Sequence, residues 1–294
     1  REEYGTSDPV QLAYAMTIQV VLANARLLRP IWEITDGALG YVSLQLNPKE
    51  ARDAGKMIDE ATWVYGQLED ELGGTPNTVF KVPGTAAGIP AAAALTSTGK
   101  GVNVTVNYSL PQQIAFAGAI EANSTAKVTF RTQMDGRLDD PVGEELEAAG
   151  VSDWEEVKKW ATTAIRQREY KMLCLPPEEG GLGFTKSAPL AASGRGPWNI
   201  TRTIANGPVT MFITVFPNRQ EQFEEKRRQI KPDGMWAPLP AGYHDKLCKS
   251  EIFHQAYEPD GMEPKDFINF VPSARTLKQF SDAYDEFLVW VCEG

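Results

Sequence analysis

Histidine is scarce in this chain, two residues in 294, and cysteine is nearly as rare at three. Two imidazoles, His244 and His254, are poor material for a metal-ligand cluster or a histidine-based triad. Cys174, Cys248 and Cys292 are odd in number and far apart, which predicts thiols in a reducing compartment rather than a disulfide framework. Positive charge is short as well: 29 Lys and Arg against 39 Asp and Glu leave a formal net charge of −10. Such a balance gives no electrostatic support to a nucleic-acid or anionic-membrane partner. No apolar run approaches the roughly 20 residues that a membrane-spanning helix needs. The first residues, Arg-Glu-Glu-Tyr, carry no signal-peptide pattern. No Gly-x-Gly-x-x-Gly or P-loop follows a strand, and Ser193-Gly-Arg-Gly-Pro197 lacks the spacing. Four Asn-x-Ser/Thr sequons start at Asn103, Asn107, Asn123 and Asn199; the first two fall in an expected buried strand, and none is read as glycosylated.

What is present is enough for a large core. With 42% apolar residues the chain suits one barrel-sized domain or two smaller ones. Helical spacing of apolar residues covers 9–29, ending before Pro30, and a strand follows at Gly40-Tyr-Val-Ser-Leu-Gln-Leu46. Pro48 opens an amphipathic helix to about Leu72, closed by Gly73-Gly74. Further strands are expected at 78–83, 102–109, 126–131, 188–192 and 209–215, with helices at 86–98, 110–122, 140–173 (broken near Gly150), 199–205 and 217–230. An irregular Pro/Gly stretch fills 231–263, and a last helix covers 273–291. Strand and helix alternate with short connections through six strands and without tandem hairpins, the signature of a parallel sheet built from βα units.

The stretch Thr78 to Gly88 places Lys81 in a short apolar run closed by Pro83-Gly84. A lysine in a dry strand is costly unless it is paired or gives up its proton. Two readings stay open: an amine neutralised for Schiff-base chemistry, or an edge-strand lysine that snorkels outward. Counting alternate residues along each strand puts Ser43, Gln45, Lys81, Asn103, Thr105, Asn107, Thr129, Arg131, Ser193 and Arg195 on one inward face. A core built for packing alone would place Val, Ile or Leu there. Arg131 and Arg195, aided by Ser193 and the Gly194 and Gly196 backbone, could make a phosphate pocket. Taken singly, each arginine is more simply a surface ion pair. The pair Asp139-Asp140 and the run Glu144-Glu145 read as a solvated face.

These residues resemble the transaldolase family. Gly40 to Pro48 is similar to the family's Gly-Tyr-Val-Ser-Leu-Glu-Val-x-Pro, and Phe80 to Gly88 to its Ile-Lys-Ile-Pro-Ala-Thr-x-x-Gly, with Lys81 in the Schiff-base position. Gly101 to Ser109 resembles Gly-Ile-x-Val-Asn-Val-Thr-Leu-x-Phe-Ser, which puts Asn103 and Thr105 at the family's active-site Asn and Thr. The segments Leu27-Leu-Arg-Pro-Ile-Trp and Thr35-Asp-Gly also match bacterial-type members. The likeness is close over 20–110 and looser beyond, where Arg131, Ser193 and Arg195 resemble phosphate-binding positions. Lys265-Asp-Phe-Ile-Asn-Phe and the last helix resemble the family's C-terminal helical segment.

The resemblance implies a (β/α)8 TIM-type barrel over 1–230 with a C-terminal extension, 231–294, packed on it. It implies transfer of a dihydroxyacetone unit between sugar phosphates through Lys81 in the pentose phosphate pathway, with no metal and no organic cofactor. Thr105 would hold the catalytic water, Asn103 and Ser43 would contact the bound unit, and Arg131, Ser193 and Arg195 would grip the phosphate. Cytoplasm and plastid stroma both suit that chemistry and the thiols. Two departures stand against it. The family's catalytic glutamate is Gln45 here, which can hydrogen-bond a water but cannot accept its proton. The family's first two strands, one with a catalytic aspartate and one with Thr-Asn-Pro, have no counterpart, so the barrel is expected to be incomplete. The alternative expectation is therefore a pseudoenzyme, a binding or structural subunit whose missing-strand surface is covered by a protein partner or a second copy.

Overall fold

The computed structural model describes residues 7–226, 231 and 233–293. Helix α1 (Pro9–Ile34) begins at an Asp8 cap, where the carboxylate accepts from the amides of Val10 and Gln11. It runs straight through Pro30, where the sequence suggested a stop. Pro30 is exposed, so water can serve the carbonyl that loses its helical donor. Gly40 makes the turn into β1 (Val42–Gln45): its φ is +80°, and a Cβ there would sit 2.6 Å from the backbone nitrogen of Trp32.

Next in chain order come α2 (Ala54–Leu72), β2 (Thr78–Pro83), α3 (Gly88–Ser97), β3 (Gly101–Thr105), α4 (Leu110–Asn123), β4 (Thr129–Met134) and α5 (Asp135–Ala148). Short α6 (Trp154–Val157) and α7 (Ala161–Glu169) precede β5 (Ala188–Ala192), α8 (Pro197–Thr201), β6 (Phe212–Ile213) and α9 (Pro217–Lys226). Of the helix expected over 217–230, residues 227–230 lie outside the described residues. The expected irregular stretch contains α10 (Tyr243–Leu247) and α11 (Glu251–Tyr257), and the chain closes on α12 (Val271–Glu293).

All six strands pair in parallel, in sequence order from β1 to β6, as one curled, incomplete barrel. This is the fold the alternation of strand and helix implied. β6 is far shorter than the seven-residue run 209–215 suggested, because β5 alone pairs with it. On the convex side, one core of Leu44, Leu46, Phe80, Val82, Val102 and Val104 packs under α1 to α4. A second joins α5 and α7 to α11 through Leu138, Val142, Ile165, Ile252 and Phe253. Helix α12 lies across α5 and α1, with Val291 against Leu12 and Ala13. The opposite face of α1 leaves Val20, Leu27, Ile31 and Ile34 exposed.

Two non-glycine residues with positive φ sit at the carboxyl ends of strands, Val106 at +52° after β3 and Ser193 at +58° after β5. A β-branched residue in that region is strained, and strain of this kind collects where a site must be shaped.

Candidate active site

The concave face of the sheet encloses a cavity of about 610 Å³, bounded by strands from β1 to β6, the first turn of α5 and the side of α12. Pairing registers fix which residues reach it. Lys81 is level with Gln45 on one side and Asn103 on the other, and Asn103 is level with Phe130. Since neighbours in register share a face, Ser43, Lys81, Asn103 and Thr105 all line the cavity, joined by Phe130, Thr132 and Met134.

Lys81 is half-buried and has no ion-pair partner among the described residues. Burial alone pushes its amine below the usual lysine range. Beside it, Thr132 donates to Asn103 Oδ1 at 2.6 Å, and Asn103 Nδ2 points at Ser43 Oγ at 3.4 Å. The Thr132 bond fixes the amide with its donor end toward Ser43. Thr105 is buried, with its hydroxyl 3.6 Å from Met134 Sδ. Ser193 lines the same cavity from the loop after β5, and its carbonyl accepts from the Gly136 amide at 3.1 Å.

Three of the expected site residues lie elsewhere. Gln45 has its backbone on the right face, but β1 is an edge strand. The side chain is exposed, turns its amide to the Leu46 carbonyl at 3.0 Å, and does not line the cavity. Arg131 belongs to the convex face, because the inward residues of β4 are Phe130, Thr132 and Met134, one step out of phase with the expected Thr129 and Arg131. Its guanidinium is fully buried on Glu169, Gln113, the Ser187 hydroxyl and Cys174. Arg195 is exposed and forked onto Asp140, at 3.1 and 2.9 Å, outside the lining. Asn107, a further inward candidate, is buried but not at the cavity either.

The loop holding Ser193 is anchored from below. Asn199 Oδ1 accepts from the amides of Arg195 and Gly196 at 2.8 and 3.2 Å, and its Nδ2 donates to Asp135 Oδ2 at 3.1 Å. Asp135 is itself ion-paired with buried Arg166. Burial pushes Asp135 up to about 6, against the pull of Arg166. Asp139, expected on a solvated face, is 3% exposed. Burial first, then Asp135, raise it to about 8 despite the two donors of Thr162.

Sequence reasoning missed Arg137. It sits three residues past the end of β4 and lines the cavity, so Lys81 and Arg137 are its cations. Its signal was positional, since residues just beyond the carboxyl end of a barrel strand build the site in this class of fold. Phe280, from α12, also lines the cavity and had no signal. Among the described lining residues there is no carboxylate.

A model of the transaldolase/fructose-6-phosphate aldolase family matches residues 2–240. The chain is a member of that family. Similar proteins include the transaldolase of Thermobifida fusca, 38% identical over 98 residues, which is 33% of this chain and 25% of the relative. Transaldolase 1 of Streptomyces avermitilis is 29% identical over 166 residues, covering 53% of this chain and 43% of the relative. The transaldolase of Helicobacter pylori is 33% identical over 136 residues, 45% and 41% respectively. The chain thus spans less than half the length of these curated relatives.

Proposed function

We propose that the cavity binds a ketose phosphate and that Lys81 forms a Schiff base with its ketone, as in a transaldolase. The observation that carries this reading is a desolvated, unpaired amine on the cavity wall, beside an oriented Asn103. A neutral amine is the nucleophile that step requires. Lys81 Nζ would add to the ketone carbon and expel water, leaving an iminium. Breaking the next carbon–carbon bond but one would release an aldose phosphate and leave a three-carbon enamine on Lys81. Addition to the aldehyde of a second aldose phosphate, then water, would return the amine.

Asn103 Nδ2 and Ser43 suit the hydroxyls of the three-carbon unit, and Thr105 suits an ordered water. Of the cations expected to hold the phosphate, Arg131 and Arg195 have carboxylate partners away from the cavity. Arg137 is the guanidinium that lines it, with Ser193, bonded through its carbonyl to the Gly136 amide, on the same wall. Borohydride reduction in the presence of fructose 6-phosphate is expected to add a three-carbon mass to Lys81, and K81M to abolish it. An unmodified Lys81 after reduction overturns the reading.

A second reading is favoured by the lining itself. With Gln45 outside it and no carboxylate among its described residues, proton transfer lacks a side-chain base. Lys81 would then trap a carbonyl ligand without turning it over, and the exposed stripe of Val20, Leu27, Ile31 and Ile34 would serve a protein partner. Adduct formation with no transfer to an added aldose phosphate selects this reading.

A further inference from the structure

We propose that the last helix determines how the cavity recognises an anion: Gln279, Thr276 and Phe280 of α12 position Arg137 as a preformed phosphate fork. This rests on the reading of the cavity as a sugar-phosphate site.

Around the site, Arg131, Arg166 and Arg195 are each ion-paired with a carboxylate, Glu169, Asp135 and Asp140 respectively. Arg137 is held differently, by neutral groups. Its Nη1 donates to Gln279 Oε1 at 2.6 Å and lies 3.4 Å from Thr276 Oγ1. The guanidinium carbon stands 5.3 Å from the centroid of the Phe280 ring, which itself lines the cavity. Thr276 is 1% exposed and accepts from the Tyr108 hydroxyl at 2.6 Å, so α12 is fixed to the loop after β3 at the same point. A carbonyl oxygen, a hydroxyl and a ring face can orient a guanidinium without cancelling its charge.

The direction of the tether matters as much as its neutrality. Both hydrogen bonds use Nη1, and among the described residues Nε and Nη2 have no partner. Those two N–H groups form the edge that grips an oxyanion in a bidentate pair. The helix therefore holds one side of the group and leaves the other without a protein partner among the described residues, on a side chain that lines the same cavity as Lys81. Gln279 is exposed and its single bond is weak on its own, whereas Thr276 is buried and Phe280 partly so. Holding Arg137 in place before the ligand arrives removes an ordering cost that a free side chain would bring to binding. These three are positioning residues, acting through Arg137 rather than on the reacting atoms.

The test is the ratio between a phosphorylated and an unphosphorylated ligand. Q279E puts a carboxylate on Nη1 and is expected to raise KM for fructose 6-phosphate at least tenfold more than KM for fructose. F280L is expected to move the ratio the same way, by about threefold. A purely structural role would weaken both sugars alike, and that result, or an unchanged ratio in Q279E, overturns the proposal. Should the unaltered protein form no Lys81 adduct with either sugar, the sugar-phosphate reading fails separately. Calorimetric titration of inorganic phosphate then decides: at least tenfold weaker binding by Q279E sustains the role of α12, and equal binding ends it.

Discussion

Both faces of strand β4 carry polar residues, three on the convex side and one on the concave, and use them in opposite ways. On the convex side, Arg131 meets Glu169, Gln113 and Ser187, and the neighbouring Arg166 meets Asp135 and Thr203, so that nearly every charge has an opposite and several donors have acceptors. On the concave side, Thr132 and Asn103 bond to each other, while Lys81 and Arg137 line the cavity without a carboxylate partner among the described residues. Burial of polar groups therefore does not by itself mark a site. A buried charge with a complete set of partners is structural, and one left incomplete in a cavity is available to a ligand.

The largest expected effect breaks the complete side. Arg131→Met should strand the Glu169 carboxylate and lower stability by about 3–5 kcal/mol in urea unfolding, while the double variant with Glu169→Leu recovers most of that. If Arg131→Met instead left stability intact and abolished phosphate binding, the assignment of the two faces would be reversed.

A smaller effect comes from Asp139, an acid on the convex side with an unsatisfied oxygen beside a like charge. Its folded pKa of about 8 lies well above the ordinary aspartate range. The unfolded chain thus releases the proton first, and stability present at low pH is lost as pH rises from about 4 to about 8. Asp139→Asn should remove this slope, leaving the variant more stable than the unaltered protein at pH 8 by on the order of 2 kcal/mol. Parallel slopes for the two proteins between pH 5 and pH 9 would rule it out.

The smallest effect concerns the strand edge. Gln45→Ala should change the rate of Lys81 adduct formation by less than about threefold, because the side chain is exposed and donates to the neighbouring Leu46 carbonyl. A large loss would place Gln45 in the reacting set after all.

Legibility in the sequence followed how one-sided each strand is. Gly101 to Thr105 alternates cleanly, so Asn103 and Thr105 could be assigned to the inner face from pattern alone. In Thr129-Phe-Arg-Thr-Gln-Met134 both faces are polar in part, so the alternation has two acceptable phases, and the chosen one put Arg131 inside. The register with Asn103 decides the phase, and register is a property of two strands together. Lys81 could be singled out because an amine among apolar neighbours is conspicuous at any phase. Asp139 looked solvated beside Asp140, as nothing local tells that Thr162 and Arg166 from α7 will close over it. The helices α10 and α11 hid inside a Pro/Gly-rich stretch, where packing of Leu247 and Phe253 on the second core outweighs weak local preference. Arg137 and Phe280 meet across about half the chain, a juxtaposition no window of sequence displays.

The cavity draws its wall from Ser43 near one end of the described chain and from Phe280 near the other. On the sugar-phosphate reading, ligand recognition accordingly waits on synthesis: while a ribosome is still making residues past 270, the six strands and Lys81 are already made but the helix that tethers Arg137 is not. Adduct formation and phosphate selectivity should thus appear in sequence as the nascent chain lengthens, the second only once the last helix has docked.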